Sequence, residues 1–347
     1  MAGVVAAVAA IAPALSGGHA HTSRPGRPLL SFAQRASVPL SAAGVRQLAS
    51  LSWSGGPVKA ADGETVTVFL SDEYAGDASV AQKWADFFAG LIHGPELSLL
   101  QVYVTTPAGV SQTCGNPDAL GCYGDDRMIV PGETDAGIDP TQVATHEYGH
   151  HIAFHRLNPP WEAVDWGTKR WASYLDVCHR AATSTVFPGD EDHHYRQNPG
   201  EGFAEAYRAL NNSKHGVTTF DWPIVDTIFY PDAPALQAVE QDVLQPWTAS
   251  TVKTVRGRFT KKGRRRFTLT LSTPLDGALA VDLKLPRGGL YTLDLLAADG
   301  RTRLAAGLWA GTTEKTLSFT ICGQRSLRLA VTRVGTTGRF FLAVTQP

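Results

Sequence analysis

The stretch that most constrains this chain is His146-Glu147-Tyr148-Gly149-His150, set inside DPTQVATHEYGHHIAFHRLNPP. On a helix, residues four apart lie on one face about a turn from each other, so His146 and His150 can aim their imidazoles at a single ion. Glu147 then stands beside that ion. The flanks agree with a helix: Asp139 is a good N-cap, Pro140 suits the first helical position, Gln142 stands where a capping box would place it, and Asn158-Pro159-Pro160 ends the run. Neutral imidazole is a good ligand for Zn²⁺, and an open zinc site lowers the pKa of a bound water to about 7, where a neighbouring carboxylate can take its proton. The pattern points to zinc-dependent hydrolysis with Glu147 as general base. The competing reading is an exposed His/Glu face on a structural helix.

A catalytic zinc needs a third protein ligand. The long pattern H-E-x-x-H-x-x-G-x-x-H fails here, because Ala153 stands where Gly should and Arg156 where the third His should. His155 is out of register by one residue and His151 points away from the His146/His150 face, so both are expected as helix-surface or core histidines. The other source is NPGEGFAEAYRALNN. Asn198 can cap a helix, Pro199 fits its first turn, and Glu201 and Glu205 are then a turn apart on one face. Glu201 is assigned as ligand and Glu205 as the group that accepts the ring N–H of a ligating His. Against this, Glu201 could close a capping box and Glu205 could pair with Arg208 at the surface.

HEYGH followed by NPGEGFAEAYR resembles the gluzincin peptidases, and within them the catalytic domain of anthrax lethal factor and its bacterial relatives, which carry a similar E-x-F-A-E-x-[FY]-R helix. The resemblance covers residues 120 to 215 most strongly. It implies that Glu201 is the third zinc ligand, Glu205 its supporting residue and Glu147 the general base. It also implies a tyrosine just upstream of Glu201 that stabilises the oxyanion. Tyr195 is the candidate, one residue closer to Glu201 than in the family; His194 occupies the family's position and is the alternative donor.

The rest of the chain supplies context. With 347 residues there is room for two domains, and 43% hydrophobic with 18% charged residues is the balance of a globular chain rather than a disordered one. A formal net charge of -1 gives no reason to expect a nucleic-acid partner. Residues 1–20 read as a signal peptide, although no Lys or Arg precedes the apolar run, and export is the expectation. No later apolar run is long enough to span a bilayer. Residues 21–50, rich in Pro, Gly, Ser and Arg, read as a linker, short propeptide or extended arm. Four cysteines suit an oxidising compartment. Cys114 and Cys122 enclose a short turn-rich loop and pair most easily; Cys178 and Cys322 then pair by elimination, unless they are two buried thiols.

Residues 51–249 read as an α+β domain, zincin-like by the resemblance: strand, helix, strand, loop and strand lead into the HEYGH helix. Residues 127–130 are the candidate edge strand for a substrate peptide. Residues 161–182 look helical. After Trp247 short alternating strands argue a small β-sandwich over 250–347, similar to the jelly-roll-like C-terminal prepeptidase-type domains of secreted bacterial peptidases. Its segment RGRFTKKGRRRF concentrates seven basic residues. They suit an extracellular glycan or matrix surface, or a solvated hairpin or linker. The resulting expectation is a secreted, monomeric zinc endopeptidase acting on protein or peptide. The rivals are an inactive zincin-like surface-binding protein and a non-peptidase zinc hydrolase.

Overall fold

The computed structural model describes residues 38–135, 137–216, 225–288, 290–307 and 313–347. The signal peptide expected over 1–20 and the start of the 21–50 arm lie outside the described residues. The described part of that arm is not irregular. It holds strand β1 (Val38–Pro39) and helix α1 (Ala42–Ser50), whose N-cap Ser41 accepts from Gly44 N–H. Leu40 and Leu48 pack with Val110 and Ile129, so tertiary burial orders a segment that shows little periodicity of its own.

The first half is a mixed sheet with helices. In chain order it continues with β2 (Trp53–Lys59), β3 (Thr65–Ser71), α2 (Ala78–Ala89), β4 (Gln101–Thr105), α3 (Pro107–Cys114), β5 (Cys122–Gly124) and β6 (Arg127–Pro131). The spatial order is β1-β5-β6-β4-β3-β2. The strands β3, β4 and β6 run parallel; β2 is antiparallel to β3 and β5 to β6, and β1 adds parallel to β5. Residues 127–130 are therefore not an edge. They form β6, hydrogen-bonded on both sides, and β5 and β1 lie between them and the sheet's end. The burial agrees: Met128, Ile129 and Val130 have no exposed surface, as interior parallel strands require.

Helix α4 (Pro140–Phe154) follows, capped by Asp139, whose carboxylate accepts from Thr141 N–H at 2.8 Å. Gln142 does not reach back to complete a capping box. Its side chain pairs instead with Asn212 and Arg208. After the small pair β7 (Leu157–Asn158) and β8 (Trp161–Glu162), the helical stretch expected over 161–182 is broken into α5 (Ala163–Trp166), α6 (Lys169–Tyr174) and α7 (Val177–Ala182). The breaks fall at Gly167 (φ 76) and Asp176 (φ 53), both in the left-handed region. Helix α8 (Pro199–Lys214) is capped by Asn198, and α9 (Ala233–Leu244) closes this half.

Helices α4 and α8 cross where neither has a side chain in the way. A Cβ on Gly149 would sit 2.6 Å from Ala204 Cα, closer than any real contact. Around this crossing Phe88, Tyr148, Phe203, Tyr207 and Phe229 form the apolar floor.

The second half is all β: β9 (Thr251–Phe259), β10 (Arg266–Ser272), β11 (Gly277–Lys284), β12 (Tyr291–Ala297), β13 (Arg303–Ala306), β14 (Glu314–Ile321), β15 (Ser326–Arg333) and β16 (Gly338–Gln346). Two antiparallel four-stranded sheets, β10-β15-β12-β13 and β14-β11-β16-β9, face each other over Leu279, Val281, Leu283, Leu293, Leu329 and Leu342. The basic run is not a hairpin; residues 260–265 are an exposed linker between two strands. Arg256 and Arg258 belong to β9, which pairs with β16, and Arg266 begins β10, which pairs with β15, so the run crosses between the sheets. Disulfides Cys114–Cys122 and Cys178–Cys322 are both present, the second joining the two halves across a sequence separation of 144. Among the described residues, no helix is long and apolar enough to cross a membrane.

Alanine is favoured over glycine inside a helix by about 0.8–1 kcal/mol, but at Gly149 the contact with Ala204 reverses the sign. Gly149→Ala is expected to lose about 1–3 kcal/mol by overpacking; urea unfolding followed by tryptophan fluorescence measures it.

Candidate metal centre

Helix α4 is buried without interruption from Val143 to Ala153, and five ionisable groups go inside at its crossing with α8: His146, Glu147, His150, Glu201 and Glu205 are each 7% exposed or less. Buried ionisable groups persist when they are paired or bind a metal. Here His146, His150, Glu201 and Glu205 pair with one another. His146 Nε2 lies 3.0 Å from Glu201 Oε2, His150 Nε2 lies 3.3 Å from Glu201 Oε1, and the two Nε2 atoms are 3.3 Å apart. Glu201 does not close a capping box, since its carboxylate faces α4 and Asn198 caps α8 by accepting from Gly200 N–H.

These separations test the site for a metal. A small divalent ion with four tetrahedral ligands at 2.0–2.1 Å sets them about 3.3–3.4 Å apart. The two imidazole nitrogens stand 3.3 Å apart, each lies 3.0–3.3 Å from one of the two Glu201 oxygens, and the buried His146-His150-Glu201 group can hold a metal ion.

The surroundings orient the donors. His146 Nδ1 is 2.6 Å from Glu205 Oε1, which turns Nε2 toward the cluster. Glu205 is in turn gripped by the Arg208 guanidinium, with Nη2 donating to Oε2 at 2.6 Å, and Arg208 Nη1 donates to Gln142 at 2.8 Å. The Glu205–Arg208 pair is therefore buried support rather than a surface pair. Burial alone would raise the Glu205 carboxyl, but Arg208 and His146 hold it down to about 2. Glu201 is likewise held well below the usual carboxylate range by His150 and His146, against the effect of burial. Burial pulls the His146 imidazole down, and the two carboxylates outweigh it and push it up to about 10. Without a cation, a proton on His146 answers the two anions; a metal ion takes over that charge and releases the proton.

Tyr195 and His194 part company. The Tyr195 hydroxyl donates to Glu201 Oε2 at 2.6 Å and its side chain is buried. His194 stacks on Phe187 and pairs through Nδ1 with Asp190 at 2.7 Å, four residues back, so it does not join the cluster. Glu147, next to His146 in the chain, is fully buried; a Cβ on Gly121, the residue before β5, would lie 2.8 Å from its Oε1. Sequence reasoning missed Glu191, whose Oε1 accepts from Asn198 Nδ2 at 2.6 Å. Burial and the Glu201 charge push it up to about 9, so it stays neutral at pH 7. Nothing in the loop GDEDHH marks it, because loop packing rather than a periodic pattern buries it.

No protein-family model matches the chain, and no curated protein matches it. Solved structures give weak likenesses. The pre-peptidase C-terminal domain of collagenase from Bacillus anthracis is 17% identical over 26% of this chain and 87% of its own, with a TM-score of 0.23. PliG, a periplasmic inhibitor of g-type lysozyme from Aeromonas hydrophila, is 15% identical over 28% of this chain and 88% of its own, at 0.22. Aminopeptidase A from Legionella pneumophila is 11% identical over 81% of this chain and 37% of its own, at 0.24. Likenesses this weak leave the chemistry to be read from the site itself.

Because Glu205 sets the His146 tautomer, Glu205→Gln is expected to weaken metal binding by about 10–100-fold. Competition with a calibrated chelator reads the change; an unaltered affinity would detach Glu205 from the centre.

Proposed function

We propose that the chain is a secreted zinc endopeptidase of gluzincin type, with a zincin-like catalytic half over residues 51–249 and a jelly-roll-like sandwich over 250–347. One observation carries the reading: His146, His150 and Glu201 converge at metal-ligand spacing with Glu147 on the next residue of the same helix. Two disulfides agree with an extracellular site of action. A bound Zn²⁺ would supply Lewis acidity, bringing a coordinated water to a pKa of about 7 and polarising the scissile carbonyl.

The chain's own residues do the rest. Glu147 takes the proton of the attacking water on one carboxylate oxygen and returns it to the leaving amine nitrogen, the two halves of general acid–base catalysis. Gly121 leaves room for this buried carboxylate, since a Cβ there would lie 2.8 Å from its Oε1. Glu205, through His146 Nδ1, keeps the imidazole fixed while charge moves at the centre. Tyr195 is assigned the oxyanion-donor role, since its hydroxyl is at the cluster and the His194 ring is turned to Asp190.

Glu147→Gln should keep the metal content of the parent protein and lower peptide hydrolysis by about 10²–10⁴-fold. Turnover at the parent rate would sink the mechanism, and a parent protein that cleaves no peptide library would favour a non-catalytic surface-binding role. Tyr195→Phe should lower kcat by about 10²–10³-fold with metal retained. If the metal is lost along with the rate, Tyr195 acts on Glu201 rather than on the substrate.

A further inference from the structure

The helix that carries HEYGH holds a second pair of histidines with the same spacing, His151 in its last turn and His155 at its C-cap. Five residues separate His146 from His151, about 500° of helical turn, so this pair lies some 140° around the axis from the first. It faces the β5–β6 hairpin, where Asp125 (φ 49) and Asp126 (φ 65) make the turn in the left-handed region. Asp tolerates that conformation better than most residues with a side chain. The turn sets Asp126 Oδ1 2.5 Å from His155 Nε2 and 3.5 Å from His151 Nδ1.

We propose that Asp126, His151 and His155 form a second metal site, for a divalent first-row transition ion, separate from the His146/His150/Glu201 centre. The donor atoms of the three residues all lie within 4.8 Å of one another. The tautomer of His151 is fixed by geometry. Its Nε2 stands 2.9 Å from the Glu96 carbonyl oxygen, which can only accept, so Nε2 carries the hydrogen and Nδ1 presents a lone pair. That lone pair and the Asp126 carboxylate face each other, and the ion pairs of Asp126 among the described residues are with these two histidines, not with Lys or Arg.

Tyr123 completes the arrangement. Its hydroxyl accepts from Asp126 N–H at 3.2 Å and donates to His151 Nδ1 at 3.0 Å, which holds both groups in place; an ion that takes the Nδ1 lone pair displaces this Tyr123 hydrogen bond. Two imidazoles and one carboxylate suit zinc, copper, nickel or iron better than calcium or magnesium, which prefer all-oxygen cages. The buried ligand is His151, with no exposed side-chain surface, while His155 and Asp126 are 21% and 30% exposed, so an ion can enter from their side. A bound ion would fasten the β5–β6 hairpin to the C-terminal end of α4. This inference does not depend on the hydrolytic centre, because the two sites share no ligand.

The test counts metal in the full-length chain, stripped with chelator, dialysed against Zn²⁺ and analysed by mass spectrometry. The parent protein should hold two equivalents. Asp126→Asn, nearly isosteric and tolerant of the left-handed turn, and separately His155→Gln should each hold one, with circular dichroism matching the parent. A His146→Ala/Glu201→Gln variant should also hold one, and adding Asp126→Asn to it should leave none. One equivalent in the parent that vanishes with His146→Ala/Glu201→Gln, or two equivalents that survive both Asp126→Asn and His155→Gln, would overturn the second site. One equivalent that vanishes only with Asp126→Asn and His155→Gln would support it and remove the proposed catalytic centre instead.

Discussion

The contact on which the rest depends is the meeting of the Glu201 carboxylate with the His146 and His150 imidazoles at the α4–α8 crossing. Taking such groups out of water costs several kcal/mol each, so a fold that buries His146, His150, Glu201 and Glu205 in one place must satisfy them in one place. The satisfaction runs outward in order. Glu201 is held by two histidines and the Tyr195 hydroxyl, His146 by Glu205, Glu205 by Arg208, and Arg208 by Gln142 back on α4. The chain of contacts begins and ends on the same pair of helices, so it closes only if they cross at backbone distance. Gly149 over Ala204 is what allows that distance.

Elements far from the crossing act on the site through a few rigid links. The Cys114–Cys122 disulfide closes the loop between α3 and β5, and Gly121, the residue before the second cysteine, packs against Glu147. The bridge thereby limits the loop conformations that set the wall behind the carboxylate. On the other side the β-sandwich is tied down by Cys178–Cys322 and by Arg325, whose guanidinium reaches Asp176, Asp276 and the Ser173 carbonyl. Asp276 N–H in turn donates to Ser173 Oγ at 2.9 Å. The C-terminal half is therefore fixed to the α6–α7 corner.

What the sequence made legible follows from which forces are local. The α4 and α8 starts were readable because Asp139-Pro140 and Asn198-Pro199 cap by contacts within three residues, and the i,i+4 spacing then put His146 with His150 and Glu201 with Glu205. Tyr195 reaches Glu201 despite its shorter spacing because residues 195–197 form a tight turn ending directly at the Asn198 cap. His194 lost the competition to a local partner, Asp190, and to stacking on Phe187. The sheet edge was misread because β5 is three residues long and β1 two, too short for alternation to show, and their pairing is set by tertiary contact. Between hairpin and linker the basic run is the linker, and nothing in its composition could decide it, because composition does not say that the strands on either side enter different sheets.

The α4 sequence itself shows why a helix can be buried all round without an apolar face. An ordinary buried helix does it with hydrophobic residues on every side; α4 buries histidines as well, and His146, His150 and His151 are each given a polar partner. His146 and His150 meet α8, whereas His151 and His155 meet the Glu96 carbonyl and the β5–β6 turn. Such a helix has almost no freedom to rotate, because a turn of even one residue, about 100°, would carry both histidine pairs off their partners at once. Two-sided polar pairing thus fixes the rotational setting of α4, and with it the placement of Glu147, more tightly than apolar packing alone would, since apolar contacts are non-directional and these are not.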